Sequence, residues 1–268
     1  MVNALRSLLE IDPSIRRVDA YEGVFDDFIA FSGGCRVTDI AQIAKGVKNA
    51  DYVLEADEAR LIIELKQISK YDRVKSVDEY FSDLLRQGRI ISPPPMGSRT
   101  LHIGPGSLSP SEWTRFHREF RPRIPKSLDT AARQIKATPK ILPLTTKRTI
   151  GVAILVNTGD YNLPVDLMFR IAEYHAKAKW KFGRFSTLDT ILCLSMDMLK
   201  NGQHPLHGRA IARDAADKQV AGSAHYLFDR WVHYGAAAVG ASVQFTPGLL
   251  TADPFQLGGG IDGKIRLV

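Results

Sequence analysis

Apolar residues recur at helical spacing through residues 20–31, where Tyr21, Val24, Phe25, Phe28 and Ile29 mark one face. They do so again through residues 77–86, with Val77, Tyr80, Phe81, Leu84 and Leu85. Between and after these helices lie short β-rich runs at 51–56, 60–69, 149–156 and 188–195. The run ending at Val156 leads into the turn signal Asn157-Thr158-Gly159-Asp160. Pro164 then opens a further helix predicted to reach about Lys179. The order is helix, strand hairpin, helix, an irregular stretch, strand, helix, strand, helix. That alternation predicts an α/β fold with a mixed central sheet flanked by helices. No internal repeat or low-complexity tract interrupts it.

The hairpin is the most informative segment. If Asp57-Glu58 forms a two-residue turn, Ala56 faces Ala59, Val53 faces Ile62 and Asp51 faces Glu64. Side chains alternate along a strand, so Lys66 shares the face of Glu64, while Leu61, Ile63 and Leu65 take the other. Two directly opposed carboxylates destabilise a strand pair unless something offsets their repulsion. A hard divalent cation such as Mg²⁺ does so, because it takes one or two carboxylates and keeps positions open for water and phosphate oxygens. A neighbouring lysine can orient water or stabilise developing phosphate charge. A bare Glu-x-Lys is most often an alternating surface pattern; here it lies in a strand too apolar for a solvated edge.

Asp51 followed thirteen positions later by Glu64-Leu65-Lys66, at the end of an apolar strand, resembles the PD-(D/E)XK nuclease superfamily. The resemblance covers residues 20–87 directly, and the strand at 149–156 with its following helix more loosely. Ala50 stands where the family pattern often has proline. The resemblance implies a restriction-endonuclease-like core and a Mg²⁺-dependent nuclease, with Mn²⁺ as a substitute, acting on nucleic acid, DNA in particular. Asp51 and Glu64 would be metal ligands, the Leu65 carbonyl an additional one and Lys66 the catalytic lysine. An acidic residue from the preceding helix would join them: Glu22 first, Asp26 or Asp27 as alternatives. Gln67 and Tyr80 are weaker candidates for substrate contact. The rival expectation is a non-catalytic nucleic-acid-binding or protein-interaction module on the same fold.

Composition sharpens where a nucleic acid would sit. The chain has 268 residues, 44% hydrophobic and 24% charged, which excludes wholesale disorder and a disulfide-stapled mini-domain. One domain over 1–268 is expected, with a basic, Pro-rich insertion at 88–148. Its formal charge is +7, yet residues 113–148 alone carry ten basic side chains against two acidic ones. Nine of the 14 prolines fall between 88 and 148, so short helices near 110–120 and 127–136 are predicted there. Arg115, Arg118, Arg121, Arg123 and Lys126, interleaved with Trp113, Phe116 and Phe120, are suited to phosphate contacts and base stacking. A solvated loop, or an amphipathic helix burying its aromatic side, has the same composition.

The remaining signals are weaker. Cys35 and Cys193 lie in apolar surroundings and are expected in the core. His204, His207, His225 and His233 lack a zinc-site framework. Gly33-Gly34 and Gly104-Pro105-Gly106 read as loops, and no GxSxG elbow occurs. The apolar helix at 226–239, with Leu227, Trp231 and Tyr234, is suited to core packing or to a homodimer contact. No apolar stretch is long enough for a membrane span or a signal peptide, so a cytoplasmic protein without a membrane partner is expected.

Overall fold

The alternating apolar runs become a six-stranded sheet in a computed structural model of the chain. It describes residues 3–10, 18–43, 47–56, 58–68, 86–87, 123–158, 165–195 and 208–240. Strands β1 (Gly34–Arg36), β2 (Tyr52–Glu55), β3 (Ala59–Ile68), β4 (Arg148–Asn157), β5 (Thr190–Ser195) and β6 (Gly208–Ala212) lie across the sheet in chain order. β3, β4 and β5 are mutually parallel; β1 with β2, β2 with β3 and β5 with β6 are antiparallel. The parallel centre explains why β4 reads as a continuous hydrophobic run: from Ile150 to Asn157 every residue is buried.

Helices α1 (Asn3–Glu10), α2 (Val18–Phe31), α3 (Val37–Ile40), α4 (Arg123–Ala137), α5 (Val165–Lys181) and α6 (Lys218–Val239) flank the sheet. One apolar layer joins α4 and α5 to Val53, Ile62, Ala153 and Leu155. The other joins α1, α2 and α6 to Leu54, Leu61, Ile63, Val152 and Ile154. In the second layer Trp231 of α6 stacks on Phe25 of α2 at 5.4 Å and meets Phe28 edge-on at 5.2 Å. Leu227, Trp231 and Tyr234 are buried within this chain, so the apolar face of α6 belongs to the core. No helix among the described residues is long and apolar enough to cross a membrane.

Strand β2 and strand β3 pair in the expected register, with Val53 opposite Ile62 and the Ala56 N–H donating to the Ala59 carbonyl. The edge strands β1 and β6 were not foreseen; Gly33 makes the turn, and Gly34 begins β1. The helix expected at 77–86 lies outside the described residues apart from Arg86, as do the segment 110–120, Trp113, Phe116 and Phe120. The second helix of the basic stretch is longer than expected. It starts at Arg123, tolerates Pro125 in its first turn, and continues to Ala137. Its residues Ile124, Leu128, Ala131, Ala132 and Ile135 are buried, making α4 part of the core layer rather than an irregular appendage.

A glycine gives α4 its seat. A Cβ on Gly151 of β4 would meet the Thr187 carbonyl oxygen at 1.9 Å and Ile135 Cγ2 at 2.6 Å. Gly151→Ala is therefore expected to destabilise by about 3 kcal/mol, the upper end of overpacking. Gly222→Ala, in the second turn of α6 with open space around it, is expected to be neutral or to stabilise by up to about 1 kcal/mol. Urea unfolding midpoints of the two variants would separate these outcomes.

Candidate functional site

The site arises where two strands of unequal length part. β2 begins at Tyr52, whereas β3 runs on past its partner Ile63 to Ile68. One step before β2, where the paired register ends, the Asp51 N–H donates to the Ile63 carbonyl at 3.1 Å, one position off the ladder. Asp51 and Tyr52 thus both lie against Ile63, and the Asp51 carboxyl comes close enough to act on Glu64. The next N–H on that edge, Leu65, has no strand to meet. Asp51 Oδ2 accepts it at 2.9 Å, so a side chain replaces the missing ladder bond. In an extended strand a residue's N–H and C=O project to the same edge. The Leu65 carbonyl accordingly lies on the Asp51 edge.

Glu64 and Lys66 project from β3 into the layer occupied by α4. Glu64 is 0% exposed, and its Oε1 is paired with Lys66 Nζ. Lys66 Nζ also donates to Gln134 Oε1 of α4 at 3.1 Å, and Gln134 Nε2 donates to the Asn49 carbonyl at 2.8 Å. Thr138, just past the end of α4, adds two bonds: its Oγ1 accepts the Ala50 N–H at 2.7 Å and donates to the Gln134 carbonyl at 2.8 Å. The end of α4 thus holds both limbs of the site, the β3 lysine and the segment leading into Asp51. Gln134 and Thr138 were not anticipated from sequence. An amide on an amphipathic helix carries no local signature; only the docking of α4 on β3 makes Gln134 significant.

Two carboxyl groups this close in a dry layer cannot both ionise cheaply. Burial and the negative charge of Asp51 push Glu64 up to about 8, against the opposing effect of Lys66. Asp51 is also raised, by burial, with the Leu65 N–H and Lys66 pulling the other way. Glu64 Oε2 is buried and has no hydrogen-bond donor among the described residues. A buried carboxylate oxygen without a donor, next to a second carboxylate, fits a hard divalent cation, which needs only one or two carboxylates when water and phosphate complete its shell. Among the described residues no group of three or more His, Cys, Asp or Glu side chains forms a richer ligand cage.

The other candidates are distributed as follows. Glu22 is exposed on α2, and its charge acts on Arg36. Asp26 is engaged by two nitrogens of Arg36, Nε at 2.7 Å and Nη2 at 2.6 Å, and by the Tyr52 hydroxyl at 3.0 Å. Asp27 accepts the Ala4 N–H at 3.0 Å. Gln67 sits on the opposite face of β3 from Lys66, with Oε1 buried and unpartnered. Arg123 and Lys126 are exposed on α4. Tyr80, Arg115, Arg118 and Arg121, with His204 and His207, lie outside the described residues. His233 contacts the Asp229 carbonyl of its own helix at 2.9 Å. Cys193 is fully buried and Cys35 half-buried, both unpaired.

The chain matches no protein-family model, no curated protein and no solved structure.

The electrostatics give a pH test of the carboxylate pair. Between about pH 4.5 and 8 the unfolded chain has released the Glu64 proton while the folded chain retains it. Folding then binds more protons than unfolding, so this stabilising contribution is complete below about 4.5 and is lost as pH rises through 8. Chelator-treated protein is expected to lose on the order of a few kcal/mol across that window. Glu64→Gln, which cannot ionise, should flatten the decline in thermal melts recorded from pH 5 to 8.5.

Proposed function

We propose that this chain is a metal-dependent nuclease with a restriction-endonuclease-like core, hydrolysing phosphodiester bonds in nucleic acid, with DNA as the expected substrate. The observation that carries the reading is the fully buried Glu64, its unpartnered Oε2 beside Asp51 and its Oε1 on Lys66. A carboxylate pair with a lysine on the same strand face suits phosphoryl chemistry, where charge must be offset around the attacked phosphate. Bound Mg²⁺, with Mn²⁺ as a substitute, would lower the pKa of a coordinated water and neutralise phosphate charge.

In this reading Asp51 and Glu64 hold the cation, with the Leu65 carbonyl on the same edge as a further oxygen donor. Glu22, exposed on α2 beside Arg36, does not join them in this arrangement. Lys66 is already desolvated on one side by Glu64 and fixed on the other by Gln134, so little ordering remains when substrate arrives. Its roles are to stabilise developing negative charge and to handle the proton of the attacking water. Arg115, Arg118, Arg121, Arg123 and Lys126 would hold the phosphate backbone. Gln134 is a positioning residue, since its amide touches Lys66 and not the reacting atoms.

The test is Mg²⁺-dependent cleavage of supercoiled plasmid and of end-labelled duplex, with a chelator control. Glu64→Ala and Lys66→Ala are each expected to lower the rate by about a hundredfold or more while circular dichroism stays unchanged. Gln134→Ala should lower kcat by about tenfold with KM little altered, and Gln134→Glu, whose carboxylate still accepts from Lys66, should restore part of it. Metal binding has its own readout: Mg²⁺ should raise the melting temperature of the native chain at pH 8, but not that of Glu64→Gln. Undiminished cleavage in both Glu64→Ala and Lys66→Ala would remove the catalytic assignment.

A further inference from the structure

The α4 helix is charged in a way its own folding does not require. Its buried stripe, Ile124, Leu128, Ala131 and Ile135, follows helical spacing and fixes which side faces solvent. On that outer side Lys126, Arg133 and Lys136 are exposed. A solvated face needs charge, but not charge of one sign. The first turn has no acidic residue to complement the helix dipole and instead carries Arg123 and Lys126. Arg133 and Lys136 sit three residues apart, where like charges repel. The one acidic side chain of the helix, Asp129, is turned to α5, where it meets His175 Nε2 at 3.2 Å and Lys179 Nζ at 3.0 Å. Among the described residues Lys126 and Lys136 form no ion pair, and Arg133 bonds within its own helix, at the Asp129 carbonyl and Thr130. Among the described residues Lys126, Arg133 and Lys136 gain no ion pair that offsets these unfavourable placements, which points to an external partner.

We infer that the outer face of α4, through Lys126, Arg133 and Lys136, is a docking surface for the phosphodiester backbone of nucleic acid. From Lys126 to Lys136 the helix rises about 15 Å, which spans roughly four phosphates of one strand at 3.4 Å of axial rise each. The position of the helix favours this partner over other polyanions. Gln134, on the flank of the same rigid helix, holds Lys66, so a strand lying on the cationic face is bound to the element that also sets the lysine. The choice of nucleic acid as the polyanion, and the path of the strand toward Asp51 and Glu64, rest on the nuclease reading; the affinity of the cationic face for a polyanion does not.

Fluorescence anisotropy of a 5′-fluorescein-labelled 20-mer, single-stranded and duplex, titrated with the full chain in chelator at several salt concentrations, tests the surface without any cleavage. Lys126→Gln, Arg133→Gln and Lys136→Gln keep good helix formers at exposed positions, and their folding is checked by thermal melts. Each is expected to weaken binding and to reduce the slope of log K against log salt by about one, the triple variant by about three. Lys218→Gln, at the start of α6 on the opposite layer, should bind as the native chain does. The inference is overturned if the triple variant keeps native affinity and slope, or if Lys218→Gln weakens binding equally. It is also overturned if the native chain ignores both oligonucleotides while binding phosphatidylglycerol vesicles through the same residues. Failure of the catalytic reading would show elsewhere, as native cleavage by Lys66→Ala, and would leave these slopes unchanged.

Discussion

A carboxylate with no exposed surface, set in an otherwise apolar sheet, is the constraint around which this structure is arranged. Placing Glu64 there costs several kcal/mol of lost hydration unless it is neutralised or paired. Lys66 pairs one oxygen; the other is left facing a second carboxyl group, Asp51. A salt bridge between Glu64 and Lys66 alone would be a weak reason to bury both, since a hydrophobic pair of similar volume serves stability as well or better. In the proposed reading the arrangement serves chemistry rather than folding: its charge would be balanced only when a cation or a proton is present.

The rest of the architecture keeps that imbalance in place. Asp51 is fixed from its backbone by Ile63 and from its side chain by the Leu65 N–H. Lys66 is fixed by Gln134, and the residues before Asp51 by Gln134 and Thr138. These bonds tie the segment leading into β2 to strand β3 and to the end of α4, elements that hold a geometry more closely than a free loop does. The helix is held in turn by the close approach that Gly151 permits, so a glycine in β4 and the placement of the lysine belong to one chain of contacts.

Much of this was legible in the sequence because a tight hairpin leaves little freedom. Once Asp57-Glu58 is taken as the turn, the pairing of Val53 with Ile62 follows from counting, and the alternation of side chains assigns Lys66 to the face of Glu64. The expected pairing of Asp51 with Glu64 is replaced by an off-register bond to Ile63 and a side-chain bond to Leu65. The helices at 20–31 and after Pro164 were legible because their apolar stripes are long. The edge strands β1 and β6 were not, being short and rich in glycine and small residues, with no alternation to count. Nor was the burial of Glu64. The sequence places it at the open end of a hairpin, and only the packing of α4 over β3 closes that end.

The view of the basic segment changes most. Density of proline and arginine suggests something irregular and detachable, yet from Arg123 onward the segment is a regular helix whose inner face belongs to the core. Proline near the start of a helix is compatible with that, since the first turn has free N–H groups in any case. Net charge and apolar burial are independent properties of a helix: one face can carry the excess of cations while the other packs against the sheet. Because the same helix also reaches Lys66 through Gln134, a displacement of its outer face is a displacement of the lysine's support. A polyanion held on that face, as proposed, would rest on the same helix that supports the lysine.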